Sequence, residues 1–321
     1  MPGWTRVRCG RGFRYLDQNA SPLPPEDVER ARALVIPPAW RDVWICPHPT
    51  GHLQATGVDE AGRTQYLYHP EWRRQRDEAK FDRVIEMARL LPRVRRSLDR
   101  TLDSDGVGAD EVLATAVRLI DLGCFRVGSE VYTDLYGSFG LTTLQRKHVR
   151  RNGTGYLFDY VGKSGMEQQV HIVDESVTGV VERLLRRRDA ELPFLSYKEG
   201  RRWRPVTAAD VNAYMGELFV GEVTAKDFRT WRATASVAAS LAAEPRGETK
   251  TARARQVRAA MQTAADYLGN TVAVVRSSYV DPRVVDLFED GATIRPVPHR
   301  GSRTELQTLD RLDRAVVKLL G

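Results

Sequence analysis

Two patterns of apolar residues divide the chain into a strand-rich part and a helix-rich part. Before residue 77 the apolar positions come in short runs, a spacing that predicts strands. The polar turn Asp59-Glu60-Ala61-Gly62 separates two of these runs and predicts a hairpin. The predicted segments are strands at 43–45, 53–58 and 63–68 and one helix at 25–34. We therefore expect a small β-rich N-terminal domain at residues 1–77.

Beyond residue 77 the apolar residues recur at helical intervals. In the segment 77–91 they follow the i, i+3, i+4, i+7 spacing, and Pro92 predicts a break or kink after it. Further helices are predicted at 109–123, 129–136, 175–188, 207–219, 225–242, 248–268 and 304–319, strands at 148–151, 155–161 and 167–173, and a second hairpin from 194–197 to 202–206. The predicted fold class is α+β, with a larger, mainly α-helical domain at 78–321 that carries a three-stranded antiparallel sheet.

Composition and charge narrow the class of protein without deciding its function. The chain has 321 residues, of which 42% are hydrophobic and 28% charged, a balance typical of globular domains and not of disordered chains. Its net charge is +7, and only seven of its 49 basic residues are lysine. Arginine binds phosphate through paired hydrogen bonds, so this bias fits a polyanionic partner, although it also fits a genome rich in arginine codons.

Several kinds of site and compartment are disfavoured. Cys9, Cys46 and Cys124 are widely spaced, which argues against a disulfide framework and for a reducing compartment. No apolar run approaches the ~20 residues of a membrane span, so we expect a cytoplasmic protein without a membrane partner. Prolines and a glycine around Cys46, His48 and His52 disfavour a zinc site, and no phosphate-binding loop is present. Neither a metal nor another cofactor is expected.

A series of polar residues in specific settings remains. Arg126 follows a predicted helix, Lys163 lies at the tip of a predicted hairpin, and Arg229 lies near the start of a long helix. Asn270 and Tyr279 follow towards the C-terminus. Taken singly, each has an ordinary structural explanation, since an arginine between apolar residues is usually half-buried beside a carboxylate. Their order and sequence context together point to shared chemistry.

That order and context resemble the type IB DNA topoisomerases, in particular the small form found in poxviruses and some bacteria. The family's catalytic lysine lies on a Val-Gly-Lys hairpin, which Val161-Gly162-Lys163 matches. The other matches, in chain order, are Arg126-Val127-Gly128 with Tyr132 for the first arginine, Leu141-Thr142-Thr143-Leu144 with Lys147-His148-Val149 for the run into the sheet, Lys226-Asp227-Phe228-Arg229-Thr230 for the second arginine, and Arg276-Ser277-Ser278-Tyr279 for a turn and the nucleophile. Together they cover most of the chain.

The resemblance implies a reaction and a role for each residue. Tyr279 would attack a DNA phosphodiester and hold the cut strand as a 3′-phosphotyrosine, so that supercoiled DNA relaxes without ATP or a required metal ion. Arg126 and Arg229 would bind the phosphate, and Lys163 would protonate the leaving 5′-oxygen. Many members of the family have a histidine where this chain has Asn270, which donates a hydrogen bond but carries no charge and shuttles no proton.

The resemblance also implies DNA contacts away from the reacting phosphate. Residues 36–40 and 62–70 resemble the family's DNA-contacting N-terminal domain. The candidates are Gln65, Tyr66 and Tyr68 in this domain and Tyr132, Lys147 and Lys226 in the larger one. An alternative for the first three is cross-strand packing on a hairpin surface. The expected partner is double-stranded DNA, clamped by a monomer at the nucleoid.

Two other classes of function stay open on the sequence alone. A tyrosine site-specific recombinase shares the catalytic logic, but that group usually carries His-x-x-Arg where this chain has Lys226-Asp227-Phe228-Arg229. The tyrosine recombinases also lack the features that this chain has at 36–40 and 65–68. A non-catalytic DNA-binding protein would use the same arginines only to hold phosphate.

Overall fold

The computed structural model describes residues 2–104, 106–128, 133, 135, 137–187, 192–297 and 305–321, apart from the side chain of Glu305. These residues divide into two units, Met1–Phe81 and Asp82–Gly321. Tyr132 and most of the helix predicted at 129–136 lie outside the described residues. None of the helices in the described ranges combines the length and the apolar character of a membrane span.

The N-terminal unit is built on a five-stranded antiparallel sheet. Its elements are β1 Trp4–Cys9, β2 Gly12–Leu16, α1 Pro25–Ala33, β3 Arg41–Ile45, β4 Leu53–Val58 and β5 Thr64–Tyr68, with the sheet order β2-β1-β3-β4-β5. The sequence patterns did not locate β1, because one of its inward positions is Arg6 and not an apolar residue. The buried Arg6 guanidinium donates to the carbonyl oxygens of Ile36, Pro37 and Trp40 at 2.8–2.9 Å. Main-chain oxygens thus surround this inward position, where the alternating pattern of a half-buried strand would have an apolar side chain.

The loop that holds Cys46 and His48 is organised by one buried amide. The Gln54 Nε2 atom donates to the carbonyl oxygens of His48, Pro49 and Gly51 at 3.2, 3.1 and 2.7 Å. In the ranges that the structure describes, no three His, Cys, Asp or Glu residues are grouped to hold a metal ion. A glutamine side chain therefore closes this loop through main-chain hydrogen bonds.

The second unit is mainly helical and carries two small sheets. Its helices are α2 Pro70–Leu102, which begins in the N-terminal unit, α3 Ala109–Gly123, α4 Glu175–Arg186, α5 Ala208–Phe219, α6 Ala225–Ala242, α7 Lys250–Leu268, α8 Val272–Ser278, α9 Pro282–Glu289 and α10 Glu305–Leu320. The strands β6 Val149–Asn152, β7 Gly155–Val161 and β8 Glu167–Ile172 form a three-stranded antiparallel sheet, and β9 Ser196–Glu199 pairs with β10 Arg202–Pro205. The α+β fold class predicted from the sequence is confirmed.

Of the break or kink predicted at Pro92, the break is wrong. Helix α2 continues through Pro92 without a break. Proline removes one helical hydrogen bond, but the flanking Leu91 and Val94 are buried in the core, and their packing favours a continuous helix. Residues 276–278, which the sequence places in a turn before Tyr279, form the end of α8, and the side chain of Thr271 caps the start of this short helix.

Four helices of the second unit meet at a buried ionic network. Arg95 on α2 and Arg232 on α6 each pair with both Asp121 on α3 and Asp313 on α10, at N–O distances of 2.6–3.0 Å. Burial acts to raise the pKa of Asp121, but the charges of Arg95 and Arg232 outweigh it and lower the pKa below its ordinary range. The indole N–H of Trp231 also donates to Asp313 at 2.8 Å. The network therefore fixes the C-terminal helix against α6.

We expect Asp313→Asn to lower the free energy of unfolding by about 3–5 kcal/mol, because it leaves two buried guanidinium groups short of one carboxylate. Asp310 on the same helix also pairs with Arg95, but its side chain is 28% exposed. The matched variant Asp310→Asn should therefore cost about 1 kcal/mol or less. Urea unfolding followed by circular dichroism measures both, and equal losses would contradict the importance given to Asp313.

Candidate active site

Arg229 is a buried cation held by the main chain. It lies in the first part of α6, is 4% exposed, and donates to the carbonyl oxygens of Cys124 and Leu268 at 2.6 and 2.9 Å. Cys124 follows α3 and Leu268 ends α7, so both oxygens belong to helix C-termini, whose partial negative charge suits a guanidinium group. No carboxylate of the described residues pairs with Arg229. The positive charge is therefore positioned without being neutralised.

Asp227 lies two residues before Arg229 at the start of α6 but does not pair with it. The Asp227 carboxylate accepts from the N–H and the hydroxyl of Thr224 at 2.9 and 2.8 Å, which caps the helix. Its other oxygen pairs with Arg83 at 2.9 Å. Asp227 is thus committed to the cap and to α2, and Arg229 faces the ends of α3 and α7.

Arg126 and Asn270 form a second pair beside Arg229. A guanidinium nitrogen of Arg126 donates to the Asn270 Oδ1 atom at 2.9 Å. The Asn270 Nδ2 atom is buried and has no hydrogen-bond partner among the described residues. Burial and then the charge of Arg229 lower the pKa of Arg126, against the opposing effects of Tyr279 and Tyr160. Asn270 therefore orients Arg126 and keeps an N–H group available.

Tyr279 is positioned by the end of α8 and by α6. Its N–H donates to the carbonyl oxygen of Val275 at 3.0 Å, and its carbonyl oxygen accepts from the hydroxyl of Thr234 at 3.3 Å. The centre of its ring lies 5.4 Å from the guanidinium carbon of Arg229. The fold thus brings Arg126, Arg229, Asn270 and Tyr279 into one cluster.

Lys163 lies on a separate element, the hairpin between β7 and β8. It is exposed in the single helical turn Lys163–Gly165 between β7 and β8, and no described residue forms an ion pair or hydrogen bond with its ammonium group. Gln168 links the hairpin to the loop before Asn270. A Cβ atom at Gly162 would lie 2.8 Å from the Gln168 Cγ atom, and one at Gly269 would lie 2.9 Å from its Oε1 atom. The hairpin base is therefore fixed beside Asn270, while the lysine itself is not joined to the cluster.

Two of the three candidates of the N-terminal unit, Tyr66 and Tyr68, lie on one face of the hairpin, and Gln65 lies on the other. The rings of Tyr66 and Tyr68 stack with centroids 6.1 Å apart, and Tyr68 stacks on Trp72 at 4.5 Å. The Gln65 Nε2 atom donates to the carboxylate of Asp59 at 2.9 Å, across the hairpin turn. Tyr66 is 51% exposed. The two tyrosines pack on each other and also present an open aromatic surface. The assignment of all three residues to DNA binding stays a prediction.

Two of the other DNA-binding candidates are single surface residues of the second unit. Lys147 is exposed in the turn Arg146–His148 before β6, and Lys226 is exposed at the start of α6. Tyr132 lies outside the described residues. The role of all three in DNA binding stays a prediction.

Sequence reasoning missed Tyr160, a fifth side chain close to the two arginines. Burial raises the pKa of Tyr160 to about 12, although the charges of Arg126 and Arg229 act to lower it. The ring stacks on Phe125 with centroids 6.1 Å apart. On β7, Tyr160 continues the alternating pattern of a buried strand face, and this pattern alone indicates core packing. Its place three residues before Lys163 is the only signal that the sequence offers.

Comparisons with known proteins identify the family of this chain. The family model described as eukaryotic DNA topoisomerase I, catalytic core, matches residues 69–290, more than half of the chain, and bacterial DNA topoisomerase IB, N-terminal domain, matches residues 12–59. The DNA topoisomerase 1B of Acanthamoeba polyphaga mimivirus is 28% identical over 298 residues, which cover 90% of this chain and 88% of the viral protein. All of the cluster residues and Lys163 fall inside the catalytic-core match. The chain therefore belongs to the type IB DNA topoisomerases, enzymes that act on DNA.

Proposed function

We propose that this topoisomerase relaxes supercoiled DNA by cutting and resealing one strand. The Tyr279 hydroxyl loses its proton to solvent as its oxygen attacks a phosphodiester, expels the 5′-oxygen and forms a 3′-phosphotyrosyl bond. The 5′-hydroxyl later attacks this bond, which restores the strand and the tyrosine hydroxyl. The covalent bond replaces the broken phosphodiester, so resealing needs no ATP. The observation that supports this most is the convergence of Arg126, Arg229, Asn270 and Tyr279 from distant parts of the chain. Membership of the type IB topoisomerase family favours this function over that of a site-specific recombinase or of a non-catalytic DNA-binding protein.

The two arginines would bind the phosphate that reacts. Phosphoryl transfer depends mainly on positioning and on stabilising the negative charge of the equatorial oxygens. Arg229 has no carboxylate partner among the described residues, and Arg126 is oriented by a neutral amide, so both keep their charge for a phosphate. Their planar forks suit two non-bridging oxygens, and we propose that they do so without a required metal ion. The free Nδ2 group of Asn270 adds one neutral donor.

Lys163 would serve as the general acid. An exposed ammonium group on a hairpin tip is free to approach the leaving 5′-oxygen when DNA is bound. We propose that it donates the proton that the leaving oxygen needs, and that the same lysine accepts this proton during resealing. The hairpin base lies beside the loop that carries Asn270, which supports a position of the lysine within reach of the phosphate.

We also propose that both units contact one duplex and that the protein works as a monomer at the nucleoid. In the N-terminal unit the exposed Tyr66 ring, backed by Tyr68 and Trp72, would contact the DNA. In the second unit Lys147 and Lys226 would pair with phosphates. Binding of this kind should weaken steeply as the salt concentration rises, because each neutralised phosphate releases counterions.

We expect Tyr279→Phe to abolish relaxation of a random-sequence supercoiled plasmid in EDTA without ATP, because only the attacking oxygen is removed. Binding to duplex DNA should be retained. Tyr267→Phe is a matched control, since that hydroxyl donates to the carbonyl oxygen of Leu122 at 3.1 Å and has no proposed role. Relaxation by Tyr279→Phe at the wild-type rate would show that another group is the nucleophile.

We expect Asn270→Ala to slow cleavage by about 10-fold, because it removes one neutral donor and the group that orients Arg126. Arg229→Ala should slow it by about 10²–10³-fold or more, because a preorganised charge is lost. Single-turnover formation of the covalent adduct measures both, with thermal melting to confirm folding. Asn270→Asp adds a negative charge facing the phosphate and should be slower than Asn270→Ala. Comparable losses for Asn270→Ala and Arg229→Ala would contradict the donor role.

We expect Lys163→Ala to cleave ordinary DNA about 10²–10⁴-fold more slowly than the wild type, as for the loss of a general acid. The deficit should nearly disappear on DNA whose scissile 5′-oxygen is replaced by sulfur, since a thiolate leaves without protonation. Arg229→Ala is the control, because its deficit should persist on the sulfur substrate. A Lys163→Ala deficit that is equal on both substrates would assign the lysine to binding and not to proton transfer.

A further inference from the structure

Tyr160 faces the cluster from the strand that leads to Lys163. In β7 the buried positions alternate, so Tyr160 lies on the same inward face as Tyr156 and Phe158. Its ring stacks on Phe125 at an interplanar angle of 18°, and Phe125 directly precedes Arg126. The packing of the strand and of Phe125 thus directs Tyr160 towards the phosphate-binding arginine.

The opposite strand encloses Tyr160 from the other side. Tyr160 is the register partner of Gln168 on β8, and partners in an antiparallel pair share one face. The Gln168 side chain contacts Gly269, the residue before Asn270. Tyr160 therefore lies between the segment that carries Arg126 and the loop that carries Asn270.

The Tyr160 hydroxyl has no hydrogen-bond partner among the described residues, although the residue is 8% exposed. Other tyrosine hydroxyls of this unit are engaged: that of Tyr156 interacts with Glu182, and that of Tyr267 donates to Leu122. The hydroxyl itself is not fully enclosed, and an unpaired donor beside two cations is suited to an anionic ligand. With a pKa of about 12 it stays protonated and can donate.

We propose that the Tyr160 hydroxyl donates a hydrogen bond to a non-bridging oxygen of the scissile phosphate, which makes it a further catalytic residue. The proposal rests on the cleavage reaction proposed above. The two guanidinium groups and the Asn270 amide supply the other donors to the same phosphate. A phenol adds a neutral donor at a fixed position, held by the ring stack on Phe125.

The test compares Tyr160→Phe with Tyr156→Phe, a matched control on the same strand and the same buried face. Single-turnover adduct formation is measured on DNA with an ordinary scissile phosphate and on its two phosphorothioate diastereomers, in each of which sulfur replaces one non-bridging oxygen. Tyr160→Phe should cleave ordinary DNA about 10- to 100-fold more slowly than the wild type, as for one hydrogen bond to a charged group. Tyr156→Phe should cleave it at the wild-type rate.

The position of the sulfur distinguishes a contact from a structural effect. The deficit of Tyr160→Phe, relative to the wild type on the same substrate, should largely vanish for the one diastereomer in which sulfur, a weak acceptor, occupies the contacted position. An equal deficit on all three substrates, or none on ordinary DNA, would overturn this proposal alone. Failure of the wild type to form any adduct would overturn the proposed function and this inference with it.

Discussion

The site depends on how one buried cation is satisfied. The Arg229 guanidinium donates to two main-chain oxygens, one just after α3 and one at the end of α7, so a residue of α6 ties three helices together. Arg126 follows the first of these ends and Asn270 follows the second, which is why two residues far apart in sequence meet at 2.9 Å. Helix carbonyls stabilise a positive charge without cancelling it. The site is therefore assembled and left positively charged by the same two hydrogen bonds.

Helix α6 shows the contrast between a neutralised and an unneutralised buried arginine three residues apart. Arg232 is paired with Asp121 and Asp313, and this network joins α6 to α2, α3 and α10. Arg229 is equally buried but has no carboxylate partner in the described parts of the chain. Charges that are neutralised in pairs contribute to the stability and position of the helix, whereas the unpaired charge stays available to a phosphate. The network thus fixes the helix that carries Arg229.

The sequence predicts those parts of the fold that depend on local pattern. Helical spacing and glycine-bearing turns predicted the helical unit and its three-stranded sheet, and the family contexts predicted four residues that meet in the structure. Patterns fail where a long-range contact replaces a local signal. Arg6 occupies an inward strand position because distant carbonyl oxygens satisfy it, and core packing on both sides carries α2 through Pro92. The sequence pattern of Tyr160 is that of a core residue, and only the folded structure shows that Arg126 and Arg229 lie close to it.

The most direct test of the account is to trap the protein on duplex DNA with denaturant and to identify the linked residue and the linked DNA end by mass spectrometry. The account predicts one covalent bond, between the Tyr279 oxygen and a 3′-phosphate, with a free 5′-hydroxyl on the other end of the cut. Linkage through another residue, or through a 5′-phosphate, would contradict it.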